Sequence, residues 1–470
     1  MSQRVKASKP KRFVSKAPNG CCTIIVYQDA IRLQQALSSA GLDVSNVGSR
    51  VARGNSSRVM YCMFDPTTPT LSATRLGAAA ASMSDDKLCV DVSDVSVKHQ
   101  LGVIIAVTKA MYEFDAYAKR RGTTGLSFMG CSDANQVGRV LDAIILAADL
   151  ENEPANVLTP EAFAARVSAW FAGNTRVSVR TMHAKELRSE GLGLIESVGV
   201  GASSPPCMLI LECMDGNKPG EDTILMVGKG VVYDSGGLAL KPFDQMYGMH
   251  GDKSGAAIVA AVFRYFVEAK TRINLVALLP LVENAVSGAS TRPGDIVRSI
   301  NGKTVEVVDT DAEGRLIIAD AIAYGERYRP THVLDFATMT GVAEGIQHDL
   351  SAAVYAQNDR LAGMLTACGE RVGERCWRLP PWPEYAAATR SQVADYRNAG
   401  WTTRDDGFMG AMFIHNFVPQ RCVDGWLHID ISKNTSGRPG VFTATGVALG
   451  IEFVGCLAGK ASSGRARKRA

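Results

Sequence analysis

Residues 309–316 read DTDAEGRL, three carboxylates and one arginine within eight positions. The preceding run KTVEVV (303–308) alternates as a strand does, and 316–323 reads as a buried helix. Like charges crowded at a strand end repel unless something positive sits among them. Active sites of open α/β sheets gather at the carboxyl ends of strands, so other charges placed after apolar strands matter here. Lys229 and Asp234 fall in GKGVVYDSGG (228–237), directly after the apolar run 224–228. Lys241 follows in LALKP, and Asp252 in HGDKSGAA just before a helix of small residues. With Asp309, Asp311, Glu313 and Arg315 they make five acids and three bases, expected on adjacent strand ends.

Two chemistries suit such a set. Taken singly, each residue serves equally well in an ion-pair network neutralised by Lys229, Lys241 and Arg315. Taken together with Gly228, Gly230, Gly236, Gly237 and Gly314, they suit a tight, backbone-lined pocket better than a solvated rim. Hard divalent cations take carboxylate oxygens, and two of them about 4 Å apart need bridging carboxylates. There is no HExxH, and His250 is the only histidine within the cluster. A metallohydrolase built here would therefore use carboxylates and a lysine amine. Other signals are weaker. SVGVGAS (197–203) and GKG lack the context of phosphate loops and read as turns, while His428 reads as a satisfied, half-buried strand histidine.

The elements that must position these residues come from an ordinary globular composition, 46% hydrophobic and 21% charged over 470 residues, enough for two domains. A net charge of +4, with no basic stripe interleaved with aromatics, argues against nucleic acid as a partner. No apolar run approaches the roughly 18 residues of a membrane span. The eleven cysteines form no CxxC pair and read as reduced core thiols of a cytoplasmic protein. The first 28 residues hold no acid but carry Arg4, Lys6, Lys9, Lys11, Arg12 and Lys16. We read 1–21 as a disordered basic tail, a mitochondrial presequence being the lesser reading, and 459–470 as a second basic tail.

Between the tails the chain alternates strand and helix. In 22–151 the apolar runs 23–27 and 101–107 read as strands and 29–40 and 133–150 as helices, a smaller α/β domain for assembly or regulation. Pro154 ends the preceding helix, and Thr159-Pro160-Glu161 starts the next, which puts the boundary near residue 152. The larger domain, 152–458, has apolar strands at 208–212, 223–228, 273–279 and 332–335 and helices at 255–269 and 361–371. It is expected to be α/β, on a mixed and mainly parallel sheet.

DTDAEGRL resembles the NTDAEGRL signature of the leucyl (cytosol) aminopeptidase family of two-metal exopeptidases. The resemblance extends in order through NEPANVLTPE (152–161), VGKGVVYDSGGLALKP (227–242), GDKSGAA (251–257), STRPGDIV (290–297), NGKTVEV (301–307), DFATMTG (335–341), WRLP (377–380) and WLHIDIS (426–432). It is strong over about 150–455; the N-terminal part matches only in position and α/β character. The resemblance implies that Lys229, Asp234, Asp252 and Glu313 hold one metal and Asp234, Asp311 and Glu313 a second, exchangeable one. It makes Lys241 and Arg315 catalytic, with Arg315 holding a bicarbonate. It places Met249, Thr338, Met339, Thr340 and Gly341 around the substrate. It further implies zinc, manganese, cobalt or magnesium, a homohexamer, peptides with a free N-terminus, and attack by a hydroxide bridging the two metals. Leucine or methionine is the expected first residue, because Met249 and Met339 offer an adaptable apolar wall.

Three positions depart from the family pattern. Asp309 replaces the signature's asparagine, and Lys253-Ser254 replaces its usual Met-Gly, a charge expected to bias substrate choice. Segments 404–410 and 444–450 also differ. A catalytically dead assembly protein is opposed by the intact set of charged positions, and a two-metal phosphoesterase has no histidine to support it.

Overall fold

The computed structural model describes residues 13–16, 22–28, 30–39, 52–53, 59–81, 87–117, 125–215, 223–341, 350–380, 382–400, 406–432 and 441–466. They form two compact units, residues 1–142 with 369–373, and 143–368 with 374–470.

The first unit carries a six-stranded sheet of β1 (Phe13–Val14), β2 (Cys22–Tyr27), β3 (Ala52–Arg53), β4 (Val59–Met63), β5 (Lys87–Asp91) and β6 (Gly125–Met129), in the order β1-β6-β5-β2-β4-β3. Every pairing is parallel except β3 with β4. Its helices are α1 (Ala30–Ser39), α2 (Pro69–Ala81), α3 (Val97–Ala110) and the start of α4 (Ala134–Asn152). The run 101–107, expected to be a strand, lies inside α3. Val103, Ile104, Ile105 and Val107 are all buried, so the helix is apolar on several sides and loses the period that would mark it. The N-terminal basic tail is also corrected at one point, since Phe13–Val14 pair with β6; residues 1–12 and 17–21 lie outside the described set.

The second unit adds helices α5 (Pro160–Ser168), α6 (Ala184–Glu190), α7 (Gly193–Gly199), α8 (Phe243–Met246), α9 (Ser254–Glu268), α10 (Gly314–Gly325), α11 (Asp359–Val372), α12 (Asp406–His415) and α13 (Val447–Ala466). Helix α13 takes in most of the segment read as a C-terminal tail. The main sheet is built from β7 (Ser178–His183), β8 (Cys207–Met214), β9 (Thr223–Gly228), β10 (Gly230–Asp234), β11 (Asn274–Asn284), β14 (His332–Ala337), β15 (Ala352–Tyr355), β16 (Cys376–Arg378) and β18 (Trp426–Asp430). Its order is β16-β15-β18-β14-β9-β11-β8-β7, with β10 also on β11. The centre, β18-β14-β9-β11, is parallel, and β8, β7 and the β15–β18 pair run antiparallel. The expected mixed α/β sheet is present.

All of β9 and nearly all of β11 are buried, because helices cover both faces. Leu225 and Val227 of β9 share a core cluster with Leu316, Ile317 and Ile318 of α10 and Leu194 and Ile195 of α7. By the strand's two-residue alternation Ile224 and Met226 point the other way. The strand that precedes DTDAEGRL is shorter than expected and belongs elsewhere. Thr304–Glu306 (β13) joins β12 (Ile296–Arg298) and β17 (Tyr396–Arg397) in a separate three-stranded sheet. The octapeptide therefore reaches the main sheet as a loop, not as the end of a neighbouring strand. The described cysteines are all free thiols, most of them buried.

Candidate metal centre and active site

Lys229 sits at a break in the middle of the sheet. β9 pairs with the first half of β11, then the chain resumes as β10 on its second half, where Gly230 faces Leu281 and Asp234 faces Asn284. The lysine backbone stays tied on both sides, its N–H donating to Phe336 O (3.0 Å) and its carbonyl accepting from Ala256 N (2.8 Å). The side chain is thus delivered from the sheet itself. Nζ donates to Thr338 O (2.6 Å) and Asp252 Oδ1 (2.9 Å), and lies 2.9 Å from Glu313 Oε1. Helix α10 passes so close that a Cβ on Gly314 would lie 2.4 Å from Lys229 Cε. The glycine of the octapeptide thus serves close approach, since its backbone is helical and has no left-handed turn to make.

Asp234 ends β10 and is oriented by two donors, Gly236 N (2.9 Å) and Asn284 Nδ2 (2.8 Å). Its other oxygen is 2.9 Å from Lys241 Nζ, which also reaches Asp311 Oδ1 at 2.5 Å. Asp252 comes from the short turn Met249–Lys253 that leads into α9, and Thr338 Oγ1 donates to it.

The octapeptide is shaped by neighbours far away in the chain. Asp309 Oδ1 accepts the N–H of Asp311 (2.8 Å), a local turn that an asparagine oxygen would make equally well. Thr310 docks on the 236–239 loop, its hydroxyl donating to Gly236 O (2.7 Å) and accepting from Ala239 N (2.8 Å). Asn398, fully buried, accepts from Val308 N (2.8 Å) and donates to Asp309 O (2.6 Å) and Ala312 O (3.1 Å). Arg315, 1% exposed, donates through Nη1 to Asn398 O at 2.7 Å. This loop brings Asp311 and Glu313 to the acids of the main sheet. Ligand oxygens of Asp234, Asp252 and Glu313 lie within 4.8 Å of one another.

Two ammonium groups, Lys229 and Lys241, face the four carboxylates of Asp234, Asp252, Asp311 and Glu313. Burial and the repulsion of Asp234 and Glu313 push Asp311 up to about 8, although Lys241 pulls it down. Burial likewise pushes Asp252 up to about 7 against the pull of Lys229, with Glu313 and Asp234 adding to the rise. Glu313 is raised by burial and by Asp234. Burial lowers both Lys229 and Lys241, yet their carboxylate partners outweigh it and hold both above the usual lysine value. Buried Asp252 Oδ2 and Glu313 Oε1 also lack a well-directed hydrogen bond, despite an ammonium within 2.9 Å of each. Carboxylates that resist ionisation and oxygens aimed at a common space fit divalent cations.

Of the residues expected around the substrate, Thr338 touches Lys229 and Asp252 as above. Met339 and Thr340 follow at the end of β14, where Asp430 accepts Met339 N (3.0 Å), Thr340 N (3.2 Å) and Thr340 Oγ1 (2.9 Å). Gly341 is exposed, and Met249 is half-buried at the start of the Asp252 turn. Lys253 has no exposed surface, and its Nζ donates to the backbone carbonyls of Glu151 and Glu153. His428 is buried rather than half-buried and pairs with Asp335, which also accepts Trp426 Nε1 at 2.7 Å.

Asn284, Asn398, Asp430 and Asp320 were missed. Asn284 and Asp430 both end apolar strands, and that position is the signal they carry in the sequence. Asp320 accepts Leu194 N (2.7 Å), Ile195 N (3.2 Å), Ser299 Oγ (2.6 Å) and Ile300 N (3.1 Å), tying α10 to the start of α7. No local signal marks it or Asn398.

Comparison with known proteins agrees with this architecture. The family described as "Cytosol aminopeptidase family, catalytic domain" matches residues 145–451. A probable cytosol aminopeptidase of Chelativorans sp. strain BNC1 is 34% identical over 385 residues, 77% of this chain and 76% of the relative. Another, from Syntrophotalea carbinolica, is 41% identical over 319 residues, 66% of this chain and 63% of the relative. Among solved structures, the bottromycin maturation enzyme BotP in complex with Mn superimposes with a TM-score of 0.79 at 27% identity, covering 93% of this chain and all of that one. The chain belongs to the cytosol (leucyl) aminopeptidase family of peptide-bond hydrolases.

Proposed function

We propose that the protein removes the N-terminal residue, leucine- or methionine-like, from peptides with a free amine, using two divalent metals. The observation that carries this reading is the convergence of buried Asp234, Asp252 and Glu313 within 4.8 Å, with the amine of Lys229 against Asp252 and Glu313. Lys229, Asp234, Asp252 and Glu313 would hold one cation, and Asp234, Asp311 and Glu313 the other. When bound, a cation pair would acidify a shared water and polarise the scissile carbonyl. Lys229 must be neutral to serve as a ligand, so loading would release its proton. Lys241 would then be freed from Asp234 and Asp311 to donate to the carbonyl oxygen as charge develops there.

Arg315, held by Asn398 O, would bind a bicarbonate that carries the proton. Met249 and residues 338–341 would receive the first side chain, with Asp430 fixing the second of these segments. Manganese is favoured by the manganese complex of the BotP relative; zinc, cobalt and magnesium are the other candidates. Family membership supports a cytoplasmic homohexamer, with the N-terminal unit serving assembly or regulation. No helix among the described residues is long and apolar enough to cross a membrane. Hydrolysis of leucyl-p-nitroanilide with added Mn²⁺, abolished by a chelator, is the expected result. Absence of hydrolysis of every aminoacyl anilide across all four metals would defeat the proposal.

A further inference from the structure

Lys253 is a cation with no solvent-exposed surface, next in sequence to a metal-ligand candidate, and the mechanism above gives it no task. Its Nζ donates to Glu151 O (3.0 Å), Glu153 O (2.8 Å) and His250 O. Three carbonyls match the three N–H groups of an ammonium, whereas a neutral amine has only two. Burial pushes the lysine down to about 7, and Glu151, Glu153 and Asp252 pull the other way. The carboxylates of Glu151 and Glu153 are engaged elsewhere, with Ala444 N (2.8 Å) and Arg166 (2.6 Å). Both also act on the lysine through their charge.

The segment that receives Lys253, at the end of α4, also grips a second one. Asn152 donates to Phe442 O (2.8 Å) and accepts from Phe442 N (2.9 Å). The Phe442 ring lies against the Asp252 turn, edge-on to His250 at 5.4 Å, and a Cβ on Gly251 would fall 2.0 Å from its Cζ. The turn that carries Asp252 is thus tied by Lys253 on one side and backed by an aromatic ring on the other. Both supports are anchored on residues 151–153.

We propose that Lys253 is a positioning residue: its ammonium ties the Asp252 turn to the 151–153 backbone and so sets where that carboxylate stands in the metal cluster. Replacing it with an apolar side chain removes the lysine's donation to these three carbonyls. The turn that holds Asp252 against Lys229 then loses its tie to residues 151–153. This inference rests on the two-metal reading, and its test separates the two.

Mn²⁺ binding to the metal-stripped, full-length protein is measured by titration calorimetry for wild type, Lys253→Met and Lys253→Gln, with circular dichroism and melting temperature alongside. The expected result is a folded Lys253→Met variant that binds Mn²⁺ about 10- to 100-fold more weakly, the range for lost outer-shell partners. Lys253→Gln, with two donors, should fall between it and wild type. Ammonium ions in the buffer, able to enter the carbonyl cradle, should tighten binding in Lys253→Met and leave wild type unchanged. Wild-type affinity in a folded Lys253→Met variant, or a loss confined to melting temperature, would overturn the proposal alone. So would failure of both variants to fold, which would make the lysine a purely structural strut. A wild-type protein that binds no Mn²⁺ would overturn the two-metal reading and this inference together.

Discussion

Gly314→Ala puts one methyl group where Lys229 now passes. The added Cβ would lie 2.4 Å from Cε, 2.7 Å from Cδ and 2.8 Å from Nζ of that lysine. Non-bonded carbons settle at about 3.5–4.0 Å, so the side chain must withdraw by about 1 Å. A lysine tip is ordinarily free to do this at little cost. Here it is held 2.8 Å from Asp252 Oδ2, 2.9 Å from Glu313 Oε1 and 2.6 Å from Thr338 O. Withdrawal stretches these contacts to about 4 Å, outside hydrogen-bond range.

The fold should barely register the change. Overpacking costs about 1–3 kcal/mol. Alanine in place of glycine in the first turn of α10 returns about 1 kcal/mol of helix propensity. The site should register it strongly, with kcat/KM on leucyl-p-nitroanilide falling about 100-fold, as expected for a 1 Å misplacement of a catalytic group. The assay pairs that rate, at saturating Mn²⁺, with the melting temperature of the metal-free protein. Near-wild-type kcat/KM would refute the reasoning, as would a loss fully accounted for by unfolding. The double variant with Lys229→Ala relieves the clash, so it should be no worse than Lys229→Ala alone. A further additive loss would show that the methyl acts elsewhere.

Asp430→Ala removes the acceptor of three donors from Met339 and Thr340. It should raise KM about tenfold, the cost of roughly one charge-assisted hydrogen bond, with kcat changed less; an equal fall in kcat would place Asp430 in the chemistry instead. Asp320 is pushed up to about 6 by burial, against its four donors. The folded protein then holds this proton more tightly than the unfolded chain. Its contribution to stability is full below about pH 4 and is lost as pH rises through 6, worth at most about 3 kcal/mol. Asp320→Asn should abolish that part of the acid-range dependence of melting temperature, and an unchanged profile would show that Asp320 does not titrate there.

Much of the site was legible in residue types and their order. Lys229, Asp234, Lys241, Asp311 and Glu313 each follow an apolar run at short range, Asp252 stands just before one, and the structure brings all six together. The mixed α/β sheet was legible for the same reason, because β9 and β11 are continuous apolar runs that only burial on both faces explains. Periodicity failed where burial is nearly uniform, as in α3, and where a short strand's partners lie far off in the chain, as with β13.

Only the tertiary structure decided how the charges are held. Lys229 enters at a break between collinear strands, and DTDAEGRL arrives from a separate small sheet. Asn398 shapes that loop across about 90 positions. Lys253 is bonded to carbonyls 102 and 100 residues away. Such contacts leave no local trace, because a buried polar side chain is specified by the partner that satisfies it, and that partner is brought near only by folding.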